Sequence, residues 1–251
     1  KMQYCSNCLM PSSRPRVIFH EGVCNACCLG IEKKNNQNLK EKKDKEFQNL
    51  LKEIKEKNFS NDNYDCIVPW SGGKDSSYVA LKLKDEYGLH PLLVTFNPLI
   101  PTEVGNHNRS ELIKYGFDSL YIHTSGEISS KLSKRFLIER GNPKLHWDAG
   151  VNASIFRMAL SLNIPYIFYA EHGESTYGGR VLNDDSTKLR DYEEVIENQI
   201  GDYPENWISD DIGIADLNPY IYPNEKELKK NKIIPYYFSY FHQWSMFENY
   251  N

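Results

Sequence analysis

The stretch Tyr64-Asp65-Cys66-Ile67-Val68-Pro69-Trp70-Ser71-Gly72-Gly73-Lys74-Asp75-Ser76-Ser77 decides the reading of this chain. Residues 64–70 form a mostly apolar run of strand length, and 76–86 continue with the character of a helix. Between them stands a turn with adjacent glycines, a lysine and the hydroxyls of Ser71, Ser76 and Ser77. A strand, a glycine turn and a helix start together make a cradle for an anion. The glycines let the backbone come close to a ligand, and the helix start offers N–H groups and the positive dipole end. Lys74 adds a mobile charge. The rival reading is a serine-glycine turn that merely caps a helix.

The turn is not a Walker A loop, which needs G-x-x-x-x-G-K-[ST]. Here Gly72 and Gly73 are adjacent, and Asp75 stands where a hydroxyl should follow the lysine. Beyond the turn, short apolar runs at 91–96, 119–123 and 164–170 alternate with helical spacing at 105–115, 126–140 and 148–162. That alternation predicts an α/β fold, a mainly parallel sheet with helices on both faces. Ligands of such sheets bind beyond the carboxyl ends of the strands. The loops 71–77, 97–105 and 171–180 are therefore expected near one another.

Upstream, Cys5, Cys8, Cys24 and Cys27 read C-x2-C-x15-C-x2-C, the spacing of a tetrathiolate zinc site. Two disulfides are the rival, and an iron–sulfur cluster also takes four thiolates. Cys28 is a spare beside the site, and Cys66 reads as a packed thiol within its strand. Residues 1–30 are too few to bury a core, so a small zinc-ribbon-like module held by metal is expected there. In 31–58, rich in lysine and glutamate, Phe47, Leu50, Leu51 and Ile54 recur at i, i+3, i+4 and i+7. This predicts a connecting helix with one narrow apolar stripe, with an RNA-binding arm as the rival. Residues 59–251 form the main domain. Its closing aromatics, including Tyr236, Tyr237, Phe238 and Phe241, are expected to be exposed and to serve as docking residues.

With 251 residues and 40% hydrophobic side chains, the chain can bury a real core. The net charge of -4 argues against a broad nucleic-acid footprint. No apolar stretch is long enough to insert in a bilayer, and no signal peptide precedes Cys5, so a cytoplasmic protein is expected.

Ser71-Gly72-Gly73-Lys74-Asp75-Ser76 resembles the SGG-x-DS loop of the PP-loop ATP pyrophosphatases, which have a Rossmann-like fold of the adenine nucleotide alpha hydrolase type. More narrowly, the chain resembles the N-acetyl sugar amidotransferases of bacterial surface-glycan synthesis. The resemblance is carried by residues 4–11 (YCSNCLMP), 22–27 (GVCNAC), 64–76 and 94–98 (VTFNP), and more weakly by 101–105, 177–179 and 235–238. Members of that family run longer than this chain, and 171–216 matches only loosely.

The resemblance implies that ATP adenylates the acetamido oxygen of a nucleotide-activated sugar. Ammonia from a separate glutaminase subunit then displaces AMP to leave an acetamidino group, for lipopolysaccharide or flagellin glycans. It implies ATP, Mg2+ and Zn2+ as cofactors. Lys74, Asp75 and Ser76 would be catalytic. Ser71, Gly72, Gly73, Ser76 and Ser77 would bind the β and γ phosphates, Pro69 and Trp70 would begin this nucleotide-binding loop, and Thr95, Phe96 and Asn97 would lie by the adenosine. Asp148, Glu171, His172 and Glu174 are candidates for substrate, with a plain surface loop residue or, at Asp148, a helix N-cap as the rival. The competing function is a tRNA-modifying PP-loop enzyme, a thiolase or a lysidine synthetase. No cysteine follows Cys66, which tells against sulfur transfer. A nucleotide-binding regulatory subunit without catalysis is a further alternative.

Overall fold

The computed structural model describes residues 2–14, 17–58, 63–173, 185–242 and 244–245. A hairpin of β1 (Phe19–His20) and β2 (Val23–Cys24) leads into helices α1 (Asn25–Asn35) and α2 (Gln37–Lys57). Then follow β3 (Cys66–Pro69), α3 (Lys74–Leu81), β4 (Pro91–Phe96), α4 (Glu103–Lys114) and β5 (Ser119–Ile122). Helices α5 (Gly126–Arg140) and α6 (Leu145–Ser161) precede β6 (Tyr166–Tyr169), and β7 (Ile234–Tyr237) comes late in the chain.

Strands β3 to β7 form one sheet in the order β5-β4-β3-β6-β7. Cys66 pairs with Pro91 and Pro69 with Val94, while Leu93 pairs with Ser119 and Ile67 with Ile167, all parallel. At β7 the Ile234 N–H donates to the Pro165 carbonyl and the Ser239 N–H to that of Ala170, so both strands advance in the same sense. The fold is α/β and Rossmann-like, as the alternation predicts. From β3 the chain winds outward through β4 and β5, then returns on the other side through β6 and β7. The topological switch point therefore lies beside β3, the strand that feeds the glycine turn.

Element boundaries moved by a few residues, each for a local reason. Helix α3 begins at Lys74 and passes at Lys82–Glu86 into a single π-turn. Helix α4 starts at Glu103 because the Thr102 hydroxyl accepts the Gly105 N–H. Helix α5 is capped by Ser125 and ends on the left-handed Gly141, φ 66°. Helix α6 begins at Leu145, so Asp148 lies within its first turn and is not the N-cap expected as a rival.

Two compact units share the chain. One comprises Ser60–Ile167 and Asp191–Ile234. Its core joins Phe96 of β4 to Ile128, Leu132 and Phe136 of α5, Leu145 and Ala149 of α6, and Trp207, Leu217 and Tyr220. Gly150 is required here. A Cβ on it would lie 2.2 Å from the Phe96 ring, so the aromatic presses directly on the α6 backbone.

The other unit comprises Lys1–Phe59, Phe168–Arg190 and Pro235–Asn251. The stripe of α2 is its core: Phe47 meets the rings of Phe168 at 6.3 Å, Phe238 at 5.9 Å and Phe241 at 4.9 Å. Lys43 lies 4.0 Å over the Tyr240 ring, and Glu46 pairs with Lys188. This corrects the expectation of exposed docking aromatics. Tyr236, Tyr237, Phe238 and Phe241 are all buried, because the apolar stripe of α2 packs among the closing rings. Among the described residues no helix is long and apolar enough to cross a membrane.

Candidate phosphate cradle and metal centre

The turn after β3 has the backbone its sequence requires. Gly72 sits at φ 86°, a conformation that favours glycine, and a Cβ there would meet the Gly105 carbonyl oxygen at 3.6 Å. Gly73, extended at φ -85° and ψ 161°, caps α3. The first turn of a helix leaves its N–H groups without intrahelical acceptors, here those of Lys74, Asp75 and Ser76. Side chains hold the glycine carbonyls. The Ser77 hydroxyl donates to the Gly73 oxygen at 2.8 Å, the Ser76 hydroxyl to the same oxygen at 3.3 Å, and Asn108 Nδ2 to the Gly72 oxygen at 2.9 Å. The Trp70 indole N–H in turn donates to Ser77 Oγ at 2.9 Å. Lys74 Nζ lies 2.7 Å from both carboxylate oxygens of Asp75. A cation and an anion therefore stand paired at the helix start.

The remaining predicted residues divide by role. Pro69 ends β3, and Ser71 is exposed at the mouth of the turn, its Oγ accepting the Gly73 N–H at 3.3 Å. Trp70 and Phe96 are buried, so their side chains build the floor. Thr95 is also buried, and its hydroxyl donates to the Trp70 carbonyl at 2.6 Å, tying the end of β4 to the entrance of the turn. The Asn97 carbonyl accepts the Trp147 indole N–H at 3.1 Å, which brings the start of α6 to the end of β4. One residue on, Asp148 is held by Lys144 at 2.9 Å, and burial pushes its carboxyl above the usual range against that lysine's pull.

In the other unit, Glu171 and His172 follow the end of β6. His172 is buried, not a surface loop residue: its N–H donates to Ser239 Oγ at 3.2 Å, and its ring stands edge-on to Tyr237 at 4.9 Å. Glu174 lies outside the described residues. Asn108 was missed by the sequence reading. An asparagine on the exposed side of a helix carries no signal of its own, and only the approach of α4 to the turn gives it a partner.

The four N-terminal cysteines converge. Cys5 and Cys8 sit on a turn closed by the Leu9 N–H to the Cys5 carbonyl at 3.0 Å, with Leu9 at φ 61°. Cys24 caps α1 and Cys27 lies in its first turn, so spacing of three puts both on one helix face. All four Sγ atoms lie within 4.8 Å of one another, and those of Cys8 and Cys24 are 3.6 Å apart. A tetrahedral ion with bonds of about 2.3 Å to sulfur separates its sulfurs by about 3.8 Å. The cage thus fits a single metal ion such as zinc. A multi-iron cluster sets several atoms between its sulfurs and needs a wider cage, and the cysteines are free thiols.

Donors already face the sulfurs: the Cys24 N–H reaches Cys5 Sγ at 3.2 Å and Asn7 Nδ2 reaches Cys27 Sγ at 3.2 Å. The backbone N–H of Cys24 leads in drawing the Cys5 thiol down to about 6, while burial pushes Cys27 up to about 12. Cys28 stays outside the cage. Cys66 is fully buried, and burial drives its thiol well above the ordinary value, which makes it a packed group and not a nucleophile.

No protein-family model matches the chain. It is 34% identical over 92 residues to an uncharacterized protein of Methanocaldococcus jannaschii, a match covering 36% of this chain and 31% of that protein. The chain therefore spans about a third of the length of the curated relative it matches. Among solved structures it is similar to a predicted subunit of tRNA methyltransferase from Methanocaldococcus jannaschii, at 20% identity and a TM-score of 0.33, over 66% of this chain and 73% of that one. A likeness that loose transfers no function.

Proposed function

We propose that this chain is an AMP-forming, ATP-consuming enzyme of the PP-loop kind, with the Ser71–Ser77 turn as the cradle for the departing pyrophosphate. One observation carries the reading. A glycine at positive φ joins a parallel strand at the switch point to a helix start, and the residues there are Lys74, Asp75 and Ser76. Backbone N–H groups and Ser71 would bind the phosphate oxygens. Lys74 would meet the charge that grows on pyrophosphate, and Asp75 would take Mg2+. In the sugar reading, which rests on the sequence resemblance, the acetamido oxygen attacks the α-phosphorus and pyrophosphate leaves. Ammonia, delivered by a glutaminase partner, then attacks the activated carbon, and AMP departs carrying the oxygen.

A second reading, modification of tRNA, draws support from the four-cysteine module and from α2, which exposes Lys40, Lys42, Lys45, Lys52 and Lys55 interleaved with Glu41, Asp44, Glu53 and Glu56. One experiment separates them: incubate the protein with MgATP and either ammonium plus nucleotide-linked N-acetyl sugars or a tRNA pool, and measure AMP and pyrophosphate. Acceptor-dependent AMP release identifies the substrate class. Lys74→Ala should lower that release by about a hundredfold. ADP as the nucleotide product would overturn the cradle assignment.

A further inference from the structure

An anion cradle built from backbone works only if its carbonyl oxygens face away from the anion, since a carbonyl dipole turned inward repels what the N–H groups attract. At Gly73 the turn's own serines, Ser76 and Ser77, do this. Gly72 has no such local help, and its lack of a Cβ leaves its peptide free to rotate. Its carbonyl is instead held by a residue 36 positions away, Asn108 Nδ2 at 2.9 Å. Two further contacts fix that donor's position. Gly105 packs against Gly72 closely enough that a Cβ on Gly72 would touch it at 3.6 to 3.8 Å, and the Thr102 cap sets where α4 begins.

We propose that Asn108 is a positioning residue for the pyrophosphate cradle: it pins the Gly72 carbonyl outward so that the turn presents N–H groups alone. The inference rests on the reading of Ser71–Ser77 as a phosphate site and deepens it. Helix α4 thereby becomes part of the nucleotide site without touching the ligand. Any movement of its first turn changes the affinity of the loop.

The test is calorimetric titration of the full chain with magnesium pyrophosphate. Asn108→Leu keeps the volume and removes the donor, and Asn108→Gln keeps the donor. Wild type should bind, Asn108→Leu about tenfold more weakly, the size expected when one hydrogen bond is lost at the site. Asn108→Gln should recover most of the loss, and the ligand-free melting temperature should stay within a few degrees in both variants. Wild-type binding with Asn108→Leu unchanged would overturn the positioning role and leave the cradle standing. A melting temperature that falls in step with affinity in both variants would also overturn it, by showing a structural role. No binding by wild type would overturn the cradle and this inference together.

Discussion

His146 offers a direct energetic test of the fold around the candidate site. It is fully buried at the start of α6, with the Pro143 carbonyl beside its ring. Its neighbours are aromatic: Phe136 with centroids 6.5 Å apart and Tyr220 at 5.8 Å. Burial therefore lowers its pKa from 6.5 to about 4, with the Pro143 carbonyl opposing the fall only in part. Between those values the unfolded chain holds a proton that the folded chain refuses. The stability due to a neutral His146 is complete above pH 6.5 and is lost as pH falls toward 4. At about 1.4 kcal/mol per pH unit, the loss comes to about 3 kcal/mol.

His146→Leu removes the titration. Urea unfolding of both proteins from pH 4 to 8 should show the variant's advantage growing by about 3 kcal/mol toward the acid end. Working with the difference between the two proteins cancels acid effects common to both, loss of metal included. A flat difference, or a His146 ring that titrates near 6.5 by NMR in the folded protein, would refute the argument.

Two further perturbations probe the metal cage and the core. Elemental analysis should find about one zinc per chain, and Cys5→Ser should release it and lower the melting temperature of the unit that contains α2; metal-free protein with all four thiols reactive would refute the site. Gly150→Ala places a methyl group 2.2 Å from the Phe96 ring, so it should destabilise by about 3 kcal/mol or more, beyond the usual cost of overpacking; a variant as stable as wild type would show that β4 and α6 are not in contact there.

The elements with strong local signals were legible in the amino-acid sequence itself. Strand β4 spans 91–96 as expected, because six consecutive apolar or β-branched positions fit a strand buried on both faces, and all six are buried. The glycine turn and the cysteine pairs were legible for a different reason: their chemistry fixes the spacing. Strand β7 was not. Ile234-Pro235-Tyr236-Tyr237 contains a proline that cannot donate to a ladder, and it reads as a strand only once β6 is beside it. The closing aromatics were misjudged for the same reason, since the ring that covers them, Phe47, lies nearly two hundred residues earlier.

Local chemistry in the chain therefore sufficed for the strand, glycine turn and helix start, and for a set of four thiols suited to one ion. Backbone conformation at glycine, helix capping and metal-ligand spacing are decided within a few residues, so they can be read in one dimension. Sheet order, the burial of Trp70, Phe96 and His172, and the hold of Asn108 on Gly72 come from residues far apart in the chain. Their energies exist only after the chain closes on itself, and no local pattern records them.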